Sequence, residues 1–270
     1  MKYPNTIHDI DFAELYRQHL RQATRAPKSA QDWDQKAEKM RQAAVDLQDD
    51  YVTAFLAKMA LQAGDSVLDV GCGGGAIGLS LAKQVKQVYA LDFSPKMLEV
   101  VQQRAAVLKV NNITPLLKSW DDDWRDVPLC DICVSSRSSM VNDLEAALNK
   151  LNQKAKRAVY MTMTVDKNFV AQEILQAIGR DGVGFPGYIY ALNILYQQGY
   201  QVSVDFIHST FGMNHVSEWD KAALIRSVQW SIGRLSEHEI TKLEAYYHQH
   251  QTQLSSYPSQ KLWALLSWRK

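Results

Sequence analysis

From Ser66 onwards, short apolar runs alternate with longer amphipathic stretches. Alternating buried strands and amphipathic helices are typical of a parallel sheet with helices on both faces. Strands are predicted near residues 66–70, 88–92, 113–117, 131–135 and 157–163. Helices are predicted to begin between them near Gly75, Pro95 and Val141. Ser94 should cap the second of these helices, because a serine side chain can accept a hydrogen bond from an amide of the first turn. Pro95 supports this start, since a proline at the first helical position costs no hydrogen bond.

The remaining C-terminal part predicts further helices and strands and one insertion. Helices are expected near residues 168–179 and 187–198. Clean alternation predicts a sixth strand over 200–207, and an apolar run predicts a seventh over 261–268. Residues 209–260 contain two helix-start signals, Ser217-x-x-Asp220 and Ser236-x-x-Glu239, the second of which is a capping box. This segment is therefore predicted to be a helical insertion between the last two strands.

Residues 1–64 precede the first predicted strand and show helical spacing throughout. One face of the first helix carries Phe12, Leu15, Tyr16 and Leu20. Ser29-x-x-Asp32 marks the start of the second helix, whose apolar positions begin at Trp33 and Ala37. A third helix is expected to end at Gly64. The segment is predicted to be an N-terminal helical extension.

Candidate chemistry is concentrated in two neighbouring segments. Val67–Gly78 runs from a predicted buried strand through a glycine-rich turn into a helix, and Val88–Leu98 contains the next strand, which ends at Asp92. Glycines allow the backbone to approach a ligand at a helix N-terminus, and an acid on the next strand can bind the paired hydroxyls of a ribose. Together the segments predict a site for an adenosine-containing cofactor.

Two cofactor types fit this pattern to different degrees. The dinucleotide motif can be placed on Gly71, Gly73 and Ala76. Asp69 argues against it, because a carboxylate at the end of the strand would repel a pyrophosphate and attract an ammonium group. A third glycine at Gly75 also widens the turn before the helix begins. The residues therefore favour a cofactor with a cationic amino group.

The order Asp-x-Gly-x-Gly-x-Gly, a strand ending in aspartate, and Ser-Pro-x-Met-Leu resembles the S-adenosylmethionine site of the class I (Rossmann-like) methyltransferases. The resemblance is specific between Val67 and Leu98. It implies an α/β fold with a Rossmann-like, seven-stranded, mostly parallel sheet and helices on both faces. It also implies S-adenosyl-L-methionine as the cofactor, a cofactor-binding methyltransferase domain over residues 65–270 with 209–260 inserted, and residues 1–64 as a lid.

The resemblance assigns roles to the residues of the turn and of the next strand. Asp69 is expected at the methionine end of the cofactor, and Asp92 at the ribose hydroxyls. Glycines are expected where the backbone passes close to the ligand, with a cysteine beside it: Gly71, Cys72, Gly73 and Gly75. Phe93 and Met97 are placed to cover a face of the adenine, with ordinary core packing as the alternative.

After the third predicted strand, this sequence departs from the small-residue pattern that is usual in the family. Asp121 is the candidate acid for the adenine amine, with Trp120 beside the ring. Ser135 begins the loop after the fourth strand, which should approach the transferred methyl group. Three residues are candidates for substrate contact, each with a packing or surface role as the alternative: Trp33, Arg137 and Tyr188. No residue is identified as a catalytic base, and Trp33 is expected to belong to the lid.

Composition narrows the class of substrate. The formal net charge of +1 lacks the excess that a nucleic-acid backbone attracts. No apolar run is long enough to span a bilayer, and the N-terminus lacks a secretion signal, so a cytoplasmic protein is expected. The pair Cys130 and Cys133 lies in an apolar strand with no second pair, so neither a metal site nor a disulfide framework is expected.

A methyltransferase acting on a small molecule is the favoured function. The alternatives are an RNA-modifying methyltransferase, an NAD-dependent oxidoreductase and a non-catalytic cofactor-binding protein. The loop at residues 134–140 lacks the Asn/Asp-Pro-Pro-Tyr/Phe pattern of many amino-methylating enzymes, which weakens a role on nucleic acid or protein. The acceptor atom and the oligomeric state are not indicated by the residues.

Overall fold

The computed structural model describes residues 6–25, 27–42, 47, 49–209, 220–254 and 261–270, except for the side chains of 251–254. Seven strands form one sheet in the order β3-β2-β1-β4-β5-β7-β6. The strands are β1 Ser66–Val70, β2 Gln87–Asp92, β3 Ile113–Leu117, β4 Cys130–Ser135, β5 Ala155–Thr164, β6 Val202–Ser209 and β7 Lys261–Arg269. Only β7 runs antiparallel to its neighbours β5 and β6. The predicted fold class is confirmed.

Ten α-helices lie within the described residues, after a 3-10 turn at Ile7–Asp9. They are α1 Phe12–Gln22, α2 Ala30–Gln42, α3 Asp50–Leu56, α4 Ala76–Ala82, α5 Pro95–Val107, α6 Leu144–Lys154, α7 Gln172–Ile178, α8 Tyr188–Gln197, α9 Lys221–Ile232 and α10 Glu237–Leu254. Helices α4, α5 and α6 each connect two parallel strands. Helices α9 and α10 lie between β6 and β7, in the predicted insertion.

The two faces of the sheet are covered by different helices because side chains alternate along each strand. On β1, Leu68 and Val70 face a core shared with α1, α6 and α8. Val67 faces the opposite core, shared with α3 and α4. A separate apolar cluster joins α7, α9 and α10. The strand order reverses direction at β1, between β2 and β4, so the ligand crevice of an open α/β sheet is expected at the carboxyl ends of β1 and β4.

Four helix boundaries differ from the prediction. α7 begins at Gln172 rather than near residue 168, and long-range hydrogen bonds explain two of the other three. α3 ends at Leu56 because the following backbone is held by the Tyr160 hydroxyl, which accepts from the amide of Ala60 at 3.0 Å. α6 begins at Leu144, after the Val141 carbonyl has accepted a 2.7 Å bond from the Tyr16 hydroxyl. The first insertion helix, α9, is capped by Asp220 itself, and Ser217 lies outside the described residues.

Candidate functional site

The glycine turn after β1 needs glycine for its conformation. Gly71, Gly73 and Gly75 have φ values of +67°, +52° and +82°, in the left-handed region that other residues rarely adopt. The amides of Gly71 and Cys72 donate to the carbonyl of Leu91 at 2.8 and 3.0 Å, which ties the turn to the end of β2. The turn then leads into α4, which begins at Ala76.

Asp92 ends β2 and fastens the turn a second time. Its Oδ2 accepts from the amide of Gly73 at 2.8 Å, and its Oδ1 accepts from the amide of Ser94 at 2.9 Å. The carboxylate is 6% exposed, and burial raises its pKa. Asp92 therefore joins the glycine turn to the start of α5, and its contact with a ribose stays a prediction.

The side chain of Asp69 lies against α4, the helix that follows the turn. Its carboxylate is 1% exposed, and Oδ2 has no hydrogen-bond partner within the described part of the chain. A Cβ atom added to Gly78 of α4 would lie 2.9 Å from this oxygen. Gly78 is therefore the residue whose lack of a side chain makes room for the buried acid. The predicted contact of Asp69 with the methionine end stays a prediction.

Burial raises the pKa of Asp69 from 3.8 to about 7. Below the pKa that Asp69 has in the unfolded chain, its carboxyl is neutral in both the folded and the unfolded protein. As the pH rises through about 7, the buried carboxyl also loses its proton, and its favourable contribution to the stability of the fold is lost. The variant Asp69→Asn is neutral at every pH. We expect it to melt at a higher temperature than the wild-type protein at about pH 8 without ligand, and by a margin that shrinks towards about pH 4.

Thermal melts across this pH range measure the effect, with about 2–4 °C expected for each kcal/mol in a chain of this size. Asp131→Asn is the control, because the Ser66 hydroxyl and amide lower the pKa of Asp131. This second variant should melt below the wild-type protein at neutral pH, since it loses a carboxylate that the fold stabilises. A pH-independent margin for Asp69→Asn would contradict the assignment of a buried, charge-penalised carboxyl.

The loop after β4 closes the crevice from the other side. Ser135 is fully buried, and its Oγ lies 2.9 Å from that of Ser138. Ser138 in turn donates to the carbonyl of Val70 at 2.7 Å, directly before the glycine turn. Arg137 adopts φ +56°, and its amide donates to Thr162 Oγ1 at 2.9 Å. These bonds hold the loop at the carboxyl ends of β1, β4 and β5.

The residues predicted near the adenine are placed in different surroundings. Met97 is fully buried in a cluster with Ala37 of α2, and Phe93 is half-buried. Trp120 stacks on Trp124 at 5.3 Å, and its Nε1 donates to the carbonyl of Ser138. Asp121 is exposed. The structure thus brings Trp120 to the loop after β4. The adenine roles of all four residues stay predictions.

Helix α2 forms a roof over the junction of β2 and α5. Asp34 Oδ1 accepts from the Ser94 hydroxyl at 2.6 Å, so the roof is bonded to the residue that caps α5. Arg104 of α5 donates from Nη1 to the carbonyl of Gly74 at 2.8 Å and from Nη2 to that of Met40 at 3.0 Å. A single guanidinium therefore connects the glycine turn to the end of α2.

The candidate substrate residues lie on different elements. Trp33 of α2 meets Trp230 of α9 edge to face, with ring centroids 5.7 Å apart. The guanidinium carbon of Arg137 lies 4.2 Å from the centroid of Tyr51. Tyr188 packs edge to face against Phe206 of β6. The substrate roles of Trp33, Arg137 and Tyr188 stay predictions.

Four residues near this side of the site were missed by the sequence analysis: Lys28, Lys36, Tyr51 and Trp230. Lys36 lies on α2 four residues before Met40, on a helix that was interpreted only through its apolar face. Trp230 lies in the insertion, far along the chain from α2. The only local signal is the spacing of Trp33 and Lys36, which are three residues apart on one helix and so can lie on the same face.

Two further findings concern the rest of the described chain. Cys130 and Cys133 are fully buried, and burial raises the pKa of Cys130 to about 11 and that of Cys133 well above its usual value. Within the described residues, no group of three or more histidine, cysteine or acidic side chains is arranged to hold a metal ion. No helix in this part of the chain is both long and apolar enough to cross a membrane.

Comparison with known proteins gives similarity at three levels. A family model described as "Methyltransferase domain" matches residues 67–158, from β1 into β5. An uncharacterized protein of Haemophilus influenzae is 40% identical over 264 residues, which cover 97% of this chain and 98% of that protein. A probable cobalt-precorrin-6B C(15)-methyltransferase (decarboxylating) of Methanothermobacter thermautotrophicus is 28% identical over 121 residues, or 43% of this chain and 62% of that protein.

Among solved structures, coclaurine N-methyltransferase bound to N-methylheliamine and SAH aligns with a TM-score of 0.54. The alignment covers 99% of this chain and 90% of that chain at 16% sequence identity. At this identity the likeness concerns the fold alone. It extends over the N-terminal helices and the insertion as well as the sheet.

Proposed function

Because this chain belongs to the class I S-adenosylmethionine-dependent methyltransferases, we propose that it transfers a methyl group from S-adenosylmethionine to a small molecule. One observation carries the proposal: the glycine turn and Asp92 are bonded to each other at 2.8 Å, at the carboxyl ends of β1 and β2. This arrangement offers backbone amides and a carboxylate to one adenosine-containing ligand. The fold places the crevice where open α/β sheets bind such ligands.

The residues present fit the cofactor of this family. A Cβ atom built on Gly73 would meet no protein atom within 4 Å, so the turn leaves open space beside its backbone. Asp69, one strand residue before the end of β1, contributes a buried carboxylate oxygen without a described partner, next to Gly78 of α4. Asp92 would hold the ribose, the turn would pass beside the methionine portion, and Asp69 would act on the ammonium. When bound, the cofactor supplies an electrophilic methyl group on a sulfonium.

The chain's own contribution is to grip, orient and exclude water. The roof helix α2 is fixed to α5 by Asp34 and Arg104, so it covers the ribose side of the crevice. Trp33 and Trp230 extend the cover towards the insertion. A covered crevice of this kind fits a small acceptor better than a polymer. Relatives that match part of this chain are named as methyltransferases of small molecules, such as the precorrin enzyme, and of RNA, such as tRNA (uracil-5-)-methyltransferase homolog A of Homo sapiens, so the choice of a small acceptor rests on the covered crevice.

A role on RNA would use exposed aromatic rings as stacking platforms for bases, and Trp120, Trp124 and the aromatic-rich insertion are the candidates. In the structure the rings of Trp120 and Trp124 stack on each other, and Trp124 is 4% exposed. Lys150 Nζ lies 5.3 Å from the centroid of Trp124, so this ring is covered from outside as well. We therefore do not propose a role on RNA. The methyltransferase family model likewise gives no support to the NAD-dependent alternative.

The proposal is tested by identifying the ligand and then measuring its affinity. Denatured, freshly purified protein is analysed by mass spectrometry for S-adenosylmethionine and S-adenosylhomocysteine, and calorimetry follows the binding of each to ligand-free protein. We expect saturable binding of both, and no binding of NAD. Binding of NAD with no binding of either sulfur compound would overturn the proposal.

Arg104 provides a prediction about the roof. Replacing it by methionine removes the bonds to the carbonyls of Gly74 and Met40 but retains an apolar stem. We expect about tenfold weaker binding of S-adenosylmethionine by calorimetry, since hydrogen bonds from a charged donor contribute about 1.5–3 kcal/mol. Arg125→Met, at an exposed arginine, is the control and should bind normally. Equal affinity in all three proteins would mean that the roof does not position the turn.

A further inference from the structure

His19 of α1 and Tyr190 of α8 are hydrogen-bonded to each other across two helices that lie far apart in the chain. His19 Nδ1 lies 2.8 Å from the hydroxyl oxygen of Tyr190, and the two rings meet edge to face with centroids 5.6 Å apart. The Tyr190 ring also packs edge to face on Tyr16, at 5.7 Å. One nitrogen of the imidazole is therefore held by a tyrosine. We call His19 and Tyr190 the imidazole pair.

The other imidazole nitrogen of His19 has no such bond. Nε2 is shielded from solvent and makes no hydrogen bond within the described part of the chain. Buried polar atoms are nearly always hydrogen-bonded in folded proteins, so an exception calls for an explanation. His19 as a whole is half-buried, so its ring is not enclosed in the core. Nε2 can therefore bond a group that the described protein does not supply.

The imidazole pair lies at the carboxyl ends of β4 and β5. Tyr16 and His19 are three residues apart and share a face of α1, and the Tyr16 hydroxyl donates at 2.7 Å to the carbonyl of Val141, in the loop after β4. Tyr190 lies in the first turn of α8. This helix follows a glycine whose Cβ position is 3.2 Å from the carbonyl oxygen of Thr164, the last residue of β5. The pair therefore borders the loop that is expected to approach the transferred methyl group.

The same loop packs on the cofactor turn. A Cβ atom on Gly71 would collide with the side chain of Ser138, and the Ser138 hydroxyl donates to the carbonyl of Val70 at 2.7 Å. Val141, which Tyr16 holds, follows three residues after Ser138. The loop thus runs from the glycine turn to α1. An acceptor lying over it would contact the cofactor at one end and the imidazole pair at the other.

The imidazole pair fits an uncharged hydroxyl better than a cationic amine. Burial raises the pKa of Tyr190, so the partner of His19 is a neutral hydroxyl. Glu14 and Asp143 are paired with Arg17 at 2.9 and 3.3 Å, so an ammonium group would compete with an arginine for either carboxylate. A phenol has a pKa of about 10 and gives its proton to an imidazole more readily than an aliphatic alcohol does. Its ring can also pack on the neighbouring tyrosine rings.

We propose that His19 is the general base for methyl transfer to a phenolic hydroxyl and that Tyr190 is a positioning residue. Nδ1–H donates to the Tyr190 oxygen, and Nε2 carries the lone pair. The hydroxyl proton of the acceptor passes to Nε2 while its oxygen forms the bond to the methyl carbon. The carbon–sulfur bond of S-adenosylmethionine breaks, its electron pair stays on sulfur, and water later takes the proton from Nε2. The inference rests on the proposed function, because it assigns the hydroxyl to the methyl acceptor.

NMR spectra of the histidine ring nitrogens test the contact with the acceptor. The full chain, loaded with S-adenosylhomocysteine, is studied at about pH 8, where an ordinary imidazole is neutral. The signals of His19 are identified by their loss in His19→Asn. We expect a proton on Nδ1, none on Nε2, and a saturable shift of Nε2 when phenol is added. Anisole, which lacks the hydroxyl hydrogen, should cause no such shift. A proton on Nε2, no shift with phenol, or equal shifts with both compounds would contradict the inference.

Methyl transfer to phenol tests the base itself. With S-adenosylmethionine, the wild-type protein should convert phenol to anisole, measured by mass spectrometry. In His19→Asn the amide can still donate to Tyr190, but no atom occupies the place of Nε2. This variant should form anisole at least about a hundredfold more slowly, with unchanged calorimetric affinity for S-adenosylhomocysteine. His238→Asn, at an exposed histidine of α10, is the control and should behave as wild type.

Tyr190→Phe tests the positioning role, with Tyr196→Phe on the same helix, at a side chain that is 51% exposed, as the matched control. Tyr190→Phe should slow anisole formation about tenfold, the loss of one hydrogen bond, and give a mixture of His19 tautomers in the nitrogen spectra. A purely structural role would leave the tautomer unchanged. Melting temperatures show which variants fold, and Tyr190→Phe carries the test if His19→Asn does not.

The outcomes separate this inference from the proposed function. Equal rates in wild type and folded His19→Asn, or no anisole from the wild-type protein, would overturn the inference and leave the proposed function standing. Loss of S-adenosylhomocysteine affinity in His19→Asn would assign His19 to the cofactor and overturn the inference as well. If the wild-type protein binds no S-adenosylhomocysteine, the proposed function fails, and titration of the ligand-free protein with phenol still tests the imidazole pair.

Discussion

Replacing Gly73 by valine is expected to abolish S-adenosylmethionine binding in a protein that still folds. Gly73 has φ +52°, and a Cβ atom there would point into space free of protein atoms to 4 Å. A branched side chain would fill the space that the cofactor needs. The strained backbone costs about 1–3 kcal/mol, which a folded chain of this size should survive.

Gly199 is the matched control for this substitution. It has φ +88°, and a Cβ atom there also meets nothing within 4 Å, but it lies between α8 and β6, at the opposite edge of the sheet. Gly199→Val should show a comparable drop in melting temperature and unchanged affinity by calorimetry. If Gly73→Val binds as tightly as Gly199→Val, the backbone does not approach the ligand at the turn.

Asp92→Ala is expected to weaken S-adenosylmethionine binding by about 1–3 kcal/mol, or about 5- to 150-fold. The structure adds a second cause to the loss of a ribose contact. Without the carboxylate, the amides of Gly73 and Ser94 lose their acceptor, and the turn is no longer held in its binding geometry. Calorimetry with adenosine and with S-adenosylmethionine measures both ligands, and adenosine should lose affinity as well, since we propose that Asp92 binds its ribose.

Asp131→Ala tests whether that effect is specific. Asp131 Oδ2 also accepts from a backbone amide, that of Ser66 at 2.8 Å, but at the amino ends of β1 and β4. Both alanine variants should be destabilised, and Asp92→Ala alone should lose affinity. Unchanged affinity in folded Asp92→Ala would remove Asp92 from the site.

All seven predicted strands are present, because each is a short apolar or alternating segment bounded by polar or glycine-containing turns. The helix caps at Ser94 and Ser236 could also be predicted from the sequence, since a cap acts within one helical turn. The Ser94 hydroxyl, for example, accepts from the amide of Met97 at 3.1 Å. The end of α3 could not be predicted in this way, because the hydrogen bond from the Ala60 amide to the Tyr160 hydroxyl spans a hundred residues of sequence. Local signals therefore predicted elements better than they predicted where some elements stop.

The sequence by itself determined the chemistry of the cofactor turn. Gly71, Gly73 and Gly75 needed left-handed backbone, and Asp92 needed only its place at the end of a strand, so local pattern sufficed. Tertiary structure alone decided the other wall of the site. Trp33 meets Trp230 and Lys28 lies over the same ring because α2 and α9 pack together across most of the chain's length. Such contacts join segments that are far apart in the chain, so they leave no periodic trace in either segment.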